Sequence, residues 1–234
     1  MDSTKKPVGV IGAGSFGTTV ANILAQNADV LLFSRKAEIV ETINRTHRHL
    51  GVQLSPRIMA TSHLEELAHN CVLLFPIVPS TTFRRMMQAL GPHLRPHHIV
   101  IHGTKGFDLK DMEEDDLNTP GIVVTRANVR TMSEVVLEES SVARVGCLSG
   151  PNLAAEIMAG QPAATLVGSR FREVIQAGQN ALNSPRFRVF GSYDLLGAEL
   201  AGALKNIIAV GSGVLGGLGL GWGFGAVGRW FGSG

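Results

Sequence analysis

Apolar residues along this chain come in short, uninterrupted runs, which are separated by longer segments of mixed polarity. Such runs predict strands that are buried on both faces of a sheet, with helices between them. The runs lie at residues 8–12, 29–33, 71–78, 98–104, 144–150, 163–169 and 187–192. Helices are predicted up to about Gln26 after the first run and at 36–44 after the second. This alternation favours an α/β fold with a Rossmann-like, doubly wound sheet.

Two segments depart from the alternation. Residues 108–133 combine an acidic cluster with Pro120 and Gly121, which predicts a surface excursion of loop and turn with its acidic residues in solvent. From Asp194 the composition changes to Ala, Gly and Leu, which predicts a helix over 194–213. We therefore expect a sheet domain at 1–193, with an insertion at about 108–131, followed at 194–234 by the first part of a second, all-helical domain.

Composition excludes several classes of protein. Of the 234 residues, 44% are hydrophobic and 17% are charged, as in a globular protein with a sizeable core. A net charge of +2 and a single tyrosine argue against a nucleic-acid surface, which needs clustered basic and stacking side chains. Cys71 and Cys147 lack the spacing of a metal or redox motif, so we expect two reduced thiols in a cytoplasmic protein without a signal peptide.

The uncharged stretch at 206–228 has the length of a membrane span. It contains nine glycines, which weaken its helix propensity, and no other segment is typical of a membrane protein. We expect no stable membrane insertion.

The sequence GAGSFG at 12–17 follows the first predicted strand and precedes a predicted helix. In this context Gly12 permits a tight turn, Gly14 allows a pyrophosphate to approach the backbone, and Gly17 allows close packing of helix and strand. The N–H groups at the start of the helix, from Ser15 and Phe16 onward, attract the anion. The loop therefore predicts a dinucleotide site.

The second predicted strand ends at Ser34, followed by Arg35 and Lys36. A carboxylate at this position usually binds the ribose hydroxyls of NAD, whereas basic side chains pair with the 2′-phosphate of NADP. NADPH is therefore favoured over NADH. Pro79, at the end of the third strand, is expected to shape the cofactor wall or simply to end the strand.

Lys205 is the one charged residue between Glu199 and Arg229. On a helix all its neighbours one turn away are apolar, so we expect Lys205 on the packed face. These neighbours are Ala201, Gly202, Ile208 and Ala209. Burial there would favour the neutral amine and allow proton exchange with a substrate. The alternative is a buried stem with its ammonium in water.

Two further motifs carry polar residues at strand ends. GTKGF at 103–107 places Lys105 after the fourth predicted strand, within reach of a cofactor and an anionic substrate. LSGPN at 148–152 joins a strand to a helix, and Asn152 is suited to cap that helix or to bind a substrate. Each motif also has a purely structural explanation.

Taken in order, five motifs carry a resemblance. They are GAGSFG at 12–17, VPS at 78–80, GTKGF at 103–107, LSGPNLAAEI at 148–157 and ELAGALKNIIA at 199–209. With them the chain resembles the NAD(P)-dependent glycerol-3-phosphate dehydrogenase family in its bacterial form. The resemblance runs from about Val8 to Gly221, apart from the excursion.

The resemblance implies reversible reduction of dihydroxyacetone phosphate to sn-glycerol 3-phosphate, the backbone of phospholipids. It implies that Lys205 donates or accepts the proton and that Lys105 contacts both substrate and cofactor. Asn206 would hold polar groups of the substrate in place. Gly150 and Asn152 match substrate-binding positions, although the family often has a small hydroxyl residue at the latter. Positions that line the cofactor are matched by Ser15, Phe16, Arg35 and Ala154. The eight histidines lack metal-ligand spacing, and no metal is expected.

In members of this family, the position of Gly221 is followed by a helical domain that supplies an acidic residue and a phosphate-binding arginine. The residues after Gly221 in this sequence do not show such a pattern. We therefore expect a truncated chain or a shifted reading frame, in which cofactor binding survives better than turnover. Two alternatives remain open: another β-hydroxyacid-type dehydrogenase, or a non-catalytic, nucleotide-binding or membrane-associated remnant. A homodimer is compatible with the resemblance.

Overall fold

The computed structural model describes residues 6–109, 119 and 121–217, and within the last helix it describes the side chains up to Lys205 and those at 210, 213 and 214. Eight strands of this part form one sheet, in the order β12-β11-β10-β7-β6-β1-β2-β5. They are β1 (Val8–Ile11), β2 (Val30–Phe33), β5 (Ile58–Thr61), β6 (Leu73–Pro76), β7 (Ile99–His102), β10 (Arg144–Ser149), β11 (Ala163–Ser169) and β12 (Phe187–Ser192). Every run that the apolar pattern assigned to a strand is confirmed, with ends shifted by a few residues.

The helices connect these strands and cover both faces of the sheet. They are α1 (Ser15–Leu24), α2 (Ala37–Thr46), α3 (Leu64–Asn70), α4 (Ser80–Leu90), α5 (Met132–Glu139), α6 (Ala154–Met158), α7 (Arg172–Leu182) and α8 (Leu195–Gly217). Because side chains alternate along a strand, Val10 faces a core with α1 and α7, whereas its neighbour Ile11 faces a core with α3, α4 and α5. The predicted Rossmann-like, doubly wound architecture is confirmed.

The direction of the strands decides where polar side chains meet. From β1 the chain builds β2 and β5 on one side and then β6, β7 and β10 on the other, all parallel. The reversal of strand order at β1 is the switch point at which such sheets bind ligands, outside the carboxyl ends of the strands. β11 is antiparallel to β10, and β12 is parallel to β11.

Two small hairpins lie outside the main sheet. β3 (Arg48–His49) pairs with β4 (Val52–Gln53), and β8 (Phe107–Leu109) pairs with β9 (Val129–Thr131). The second hairpin corrects the prediction of loop and turn for 108–133, because both ends of that segment are paired strands and Met132 already begins α5. Its acidic cluster lies outside the described residues.

α8 carries Lys205 and packs on β10 and β11. The helix can approach β11 closely because Gly168 has no side chain. A Cβ at Gly168 would lie only 2.7 Å from the Cβ of Ala198 in α8. Within the described residues no helix is long and apolar enough to cross a membrane. The predicted helix over 194–213 is confirmed, and the tail beyond Gly217 lies outside the described residues.

Candidate functional site

The carboxyl ends of five parallel strands bring the candidate residues to one edge of the sheet. Gly12 follows β1, Ser34 follows β2, Pro79 lies beyond β6, Lys105 follows β7, and Gly150 follows β10. These positions are up to 138 residues apart in sequence, as the numbers 12 and 150 show. The sheet therefore assembles one site from five separate loops.

The glycine loop has a specific reason for each glycine. Gly12 has φ +116°, and a Cβ there would lie 2.2 Å from the backbone oxygen of Ile77. A Cβ at Gly17 would lie 1.9 Å from the backbone oxygen of Gly12, so α1 could not approach the loop. By contrast, a Cβ at Gly14 would meet no atom within 4 Å. Gly14 therefore borders open space, as a residue that admits a phosphate should.

The start of α1 supplies unpaired donors to that space. Gly14 is its N-cap, with no capping side chain and no acidic residue in the first turn. The first intrahelical bond runs from Thr18 N–H to Gly14 O, which leaves the N–H groups of Ser15, Phe16 and Gly17 directed out of the helix. These residues fit the pyrophosphate of a dinucleotide.

A cavity of about 400 Å³ adjoins the loop. It is lined by Gly12, Gly14, Ser34, Arg35 and Pro79, which the sequence assigned to the cofactor, and also by Arg85 of α4. Ser34 is buried and its Oγ accepts the N–H of Lys36, whereas Arg35 is exposed. Sequence reasoning missed Arg85, because only the packing of α4 beside β6 brings this exposed arginine to the same cavity.

A second cavity, of about 430 Å³, lies along α1. Ser15 and Ala154 line it, together with Leu50 and Val52 of the β3–β4 hairpin. His49 in this hairpin forms a 2.8 Å hydrogen bond to the backbone oxygen of Ala13. The hairpin thus holds the glycine loop from outside, which its sequence does not indicate.

Lys105 and Lys205 meet at the carboxyl edge, where their amines are close enough to influence each other's protonation. Burial, and then the charge of the adjacent Lys205, lower the pKa of Lys105 to about 8. Its Nζ lies 5.9 Å from the ring centroid of Phe16, a cation–π distance. In the described part of the chain, neither ammonium has a carboxylate within 4 Å. Two adjacent cations without a counter-ion form a site for an anion or for a developing negative charge.

The surroundings of Lys205 differ from the prediction. Gly202 is buried, but Ala201 is exposed and Lys205 itself is only half-buried. The expectation of a fully apolar, packed face is therefore wrong at Ala201, because α8 lies on β10 and β11 with one side and leaves the other uncovered. The side chains of Ile208, Ala209 and Asn206 lie outside the described residues.

The LSGPN turn places an amide beside this edge. Gly150 has φ +153°, which favours glycine, and Asn152 is buried. Asn152 Nδ2 donates to Thr165 Oγ1 at 2.8 Å, and this hydroxyl donates to Ser149 O. Asn152 Oδ1 is buried without a partner among the described residues. An unpaired buried acceptor costs stability, so Asn152 fits a residue that binds a ligand hydroxyl.

Cys71 and Cys147 are free, buried thiols, as expected, and burial raises the pKa of each to about 12. No three His, Cys, Asp or Glu side chains in the described ranges are arranged to hold a metal ion. A cavity of about 760 Å³, lined by Lys6, Arg95 and several histidines, opens at the amino ends of β1 and β7, away from the lysines.

Comparison with known proteins agrees with the geometry. The family model described as NAD-dependent glycerol-3-phosphate dehydrogenase N-terminus matches residues 7–175. The model of the C-terminus of the same enzyme matches residues 194–227, which extends past Gly221 and beyond the limit that the motifs indicate.

Similar proteins carry the same description. A Sphingopyxis alaskensis protein named glycerol-3-phosphate dehydrogenase, NAD(P)+, is 40% identical over 218 residues, which cover 92% of this chain and 60% of that protein. One from Geobacter sulfurreducens is 36% identical over 222 residues and covers 92% and 61%. Glycerol-3-phosphate dehydrogenase from Coxiella burnetii has a similar structure, with a TM-score of 0.75, 27% identity, and coverage of 93% of this chain and 63% of that one.

The chain spans about 60% of the length of these curated relatives. Its N-terminal match alone covers more than half of the 234 residues. With the glycine loop and the two lysines placed as described, the chain belongs to the NAD-dependent glycerol-3-phosphate dehydrogenase family.

Proposed function

We propose that this protein reduces dihydroxyacetone phosphate to sn-glycerol 3-phosphate, reversibly and with NAD(P)H. The Lys105–Lys205 pair beside the glycine loop is the observation that carries this function. A phosphorylated ketone brings a dianion, and its reduction develops negative charge on the carbonyl oxygen. Two uncompensated ammonium groups stabilise both charges. The names of the curated relatives support the same reaction.

The site residues divide into two groups in this proposal. The cofactor group follows the carboxyl edge from the glycine loop across Ser34 to the LSGPN turn. It comprises Gly12, Gly14, Ser15, Phe16, Gly17, Ser34, Arg35, Pro79, Lys105 and Ala154. The substrate group surrounds the lysine pair and comprises Lys105, Gly150, Asn152, Lys205 and Asn206.

Bound NAD(P)H supplies the hydride that attacks the ketone carbon. Lys205 donates a proton to the resulting alkoxide oxygen, and in the reverse direction it accepts this proton. Lys105 adds a second positive charge and orients the substrate, while Asn152 Oδ1 accepts a hydrogen bond from a substrate hydroxyl. Arg35 and Arg85 at one cavity support a preference for NADPH, because guanidinium groups pair with the 2′-phosphate.

Further features belong to the same proposal. The sheet domain extends to residue 193 and a helical substrate domain begins at 194, a division that the two family matches support. We expect a cytoplasmic protein, because both cysteines are reduced thiols. Its partners are the small-molecule substrate and a second copy of the chain, without nucleic acid or membrane.

Titration of the purified chain with NADPH, followed by dihydroxyacetone phosphate-dependent NADPH oxidation, tests the function. We expect saturable binding, and we expect Lys205→Ala to abolish turnover while NADPH affinity stays within about twofold. Lys6→Ala, at the opposite edge of the sheet, is the matched control and should retain both. Absence of saturable NADPH binding would contradict the proposed function. Binding without turnover in the unaltered chain would favour the non-catalytic, nucleotide-binding alternative.

A further inference from the structure

A buried polar cluster joins three elements beneath the two lysines. His102 ends β7, Ser133 lies in the first turn of α5, and Glu199 lies in α8. His102 Nε2 is 3.0 Å from Glu199 Oε1 and 3.2 Å from Ser133 Oγ, and the Ser133 N–H donates to the same Glu199 oxygen at 2.9 Å. None of the three residues lines the cavities described above, so the cavity beside the glycine loop does not account for them.

Hydrogen bonds within the cluster keep the carboxylate of Glu199 ionised although it is buried. Burial would raise the pKa of Glu199, but hydrogen bonds from His102, the Ser133 N–H and Thr131 outweigh burial and hold that pKa below its usual range. Cys147 of β10 also faces Glu199, and its thiol stays neutral because burial and this carboxylate raise its pKa to about 12. Phe83 of α4 covers His102 edge-on, with ring centroids 5.8 Å apart. The Glu199 carboxylate is therefore an ionised, water-excluded acceptor.

The cluster lies where it can act on the lysine pair. His102 is the last residue of β7 and precedes Lys105 by three residues, and Glu199 precedes Lys205 by six on the same helix. Gly202 lies between Glu199 and Lys205 on α8. A Cβ at Gly202 would lie 3.3 Å from Ser149 Oγ and 4.0 Å from Lys105 Cγ. The His102–Glu199 contact thus ties the two segments that carry the lysines, and α8 lies directly on the Lys105 stem.

Two ammonium groups side by side repel each other, and no carboxylate among the described residues pairs with either. Their approach therefore needs a restraint elsewhere. The ionised Glu199 bound to both β7 and α5 is such a restraint, because breaking it would leave a buried charge unpaired.

We propose that Glu199, His102 and Ser133 form a clamp that holds Lys105 and Lys205 together for the anionic substrate. Glu199 and His102 are positioning residues that act through the lysines. The use of the clamp rests on the function proposed above, but the clamp itself is testable without cofactor or turnover.

The test is the reactivity of Lys105. Acetic anhydride modifies only neutral amines, so trace labelling at a series of pH values, read by peptide mass spectrometry, gives the midpoint for Lys105. In the unaltered chain we expect a midpoint near 8. Lys205→Met removes the neighbouring charge and must raise this midpoint; an unchanged value would overturn the proposal, because the two lysines would then not be adjacent.

His102→Leu breaks the clamp and leaves the Ser133 N–H bonded to Glu199. Since the lysines then separate, the Lys105 midpoint should rise by about one pH unit, which lowers labelling at neutral pH about tenfold. A folded His102→Leu protein with an unchanged midpoint would overturn the proposal. Ser169→Ala, which deletes a buried 2.6 Å hydrogen bond to Val145 O on the same sheet, is the matched control and should lose stability without moving the midpoint.

Glu199→Gln gives a second test, in which the direction of the change in the Lys105 midpoint decides the result. This variant replaces His102→Leu if that variant does not fold. Loss of a nearby negative charge alone would lower the Lys105 midpoint, whereas separation of the lysines raises it. A rise supports the clamp, and a fall or no change overturns it. If these midpoints shift as expected but the chain fails to bind NADPH, the clamp stands and the proposed function falls.

Discussion

Burial and charge conflict at Lys105. Burial and then the neighbouring Lys205 ammonium lower its pKa from 10.5 to about 8. Between these values the native state has lost a proton that the unfolded chain still binds, so stability rises with pH across this window. The cost of the buried charge is fully present below pH 8.

Replacement of Lys105 by methionine removes that cost. We expect Lys105→Met to unfold at higher urea concentration than the unaltered chain at pH 7, with a difference that shrinks as pH rises from about 8 to 10.5. Urea titrations at several pH values provide the measurement. Lys36→Met, at an exposed position, is the control for exchanging lysine for methionine. A Lys105→Met difference that is independent of pH would contradict the prediction.

Arg35 and Arg85 are the candidate residues for binding the 2′-phosphate of NADPH. Both line the 400 Å³ cavity beside the glycine loop and both are exposed at its rim. A hydrogen bond to a charged group contributes about 1.5–3 kcal/mol. We therefore expect Arg35→Ala and Arg85→Ala each to weaken NADPH binding about tenfold or more and to change NADH binding less than threefold.

Fluorescence titration with both nucleotides checks this expectation. Arg188→Ala, an exposed arginine on β12, is the matched control and should change neither affinity. Equal losses for NADPH and NADH would show that the two arginines do not read the 2′-phosphate.

The junction of β1 and α1 depends on two glycines with opposite surroundings. A Cβ at Gly17 would collide with the Gly12 carbonyl, whereas one at Gly14 would meet open space. Gly17→Ala should therefore cost about 1–3 kcal/mol of stability by overpacking.

Gly14→Ala should stay within about 0.5 kcal/mol of the unaltered chain, since its φ of −80° suits any residue. It should nevertheless lose NADPH affinity, because the methyl group occupies space that the phosphate needs. Chemical denaturation and NADPH titration of both variants separate the two roles. Equal destabilisation by the two substitutions would argue against this reading of the loop.

Across the whole molecule, cofactor binding and stability are linked. A ligand that binds only the native state at one hundred times its Kd stabilises it by about 2.7 kcal/mol. For a chain of this size each kcal/mol shifts Tm by about 2–4 °C. Saturating NADPH should therefore raise Tm by about 5–10 °C, measured by scanning calorimetry, and Gly14→Ala should abolish this shift. A Tm that is indifferent to NADPH would contradict a preformed cofactor site.

Local pattern was sufficient for the strands and for the strand–loop–helix context of the glycine loop, and the roles of Lys105 and Lys205 stay predictions. An apolar run bounded by polar residues is buried wherever the strand pairs, and GAGSFG needs only its own strand and helix. The 108–133 segment was interpreted less well. Its ends pair as β8 and β9, and α5 begins there with a capping box between Thr131 and Glu134, whereas composition indicated only loop.

Tertiary structure alone decided which distant side chains meet. His102 and Glu199 are 97 residues apart, and their contact depends on the parallel pairing of β7 with β10 and on α8 crossing β10. Arg85 reaches the cavity beside the glycine loop, and Lys205 reaches Lys105, for the same reason. Hydrophobic periodicity indicates which face of a helix or strand is buried, but it does not indicate which element packs on that face. The partners of a charged side chain follow only from the order of strands in the sheet.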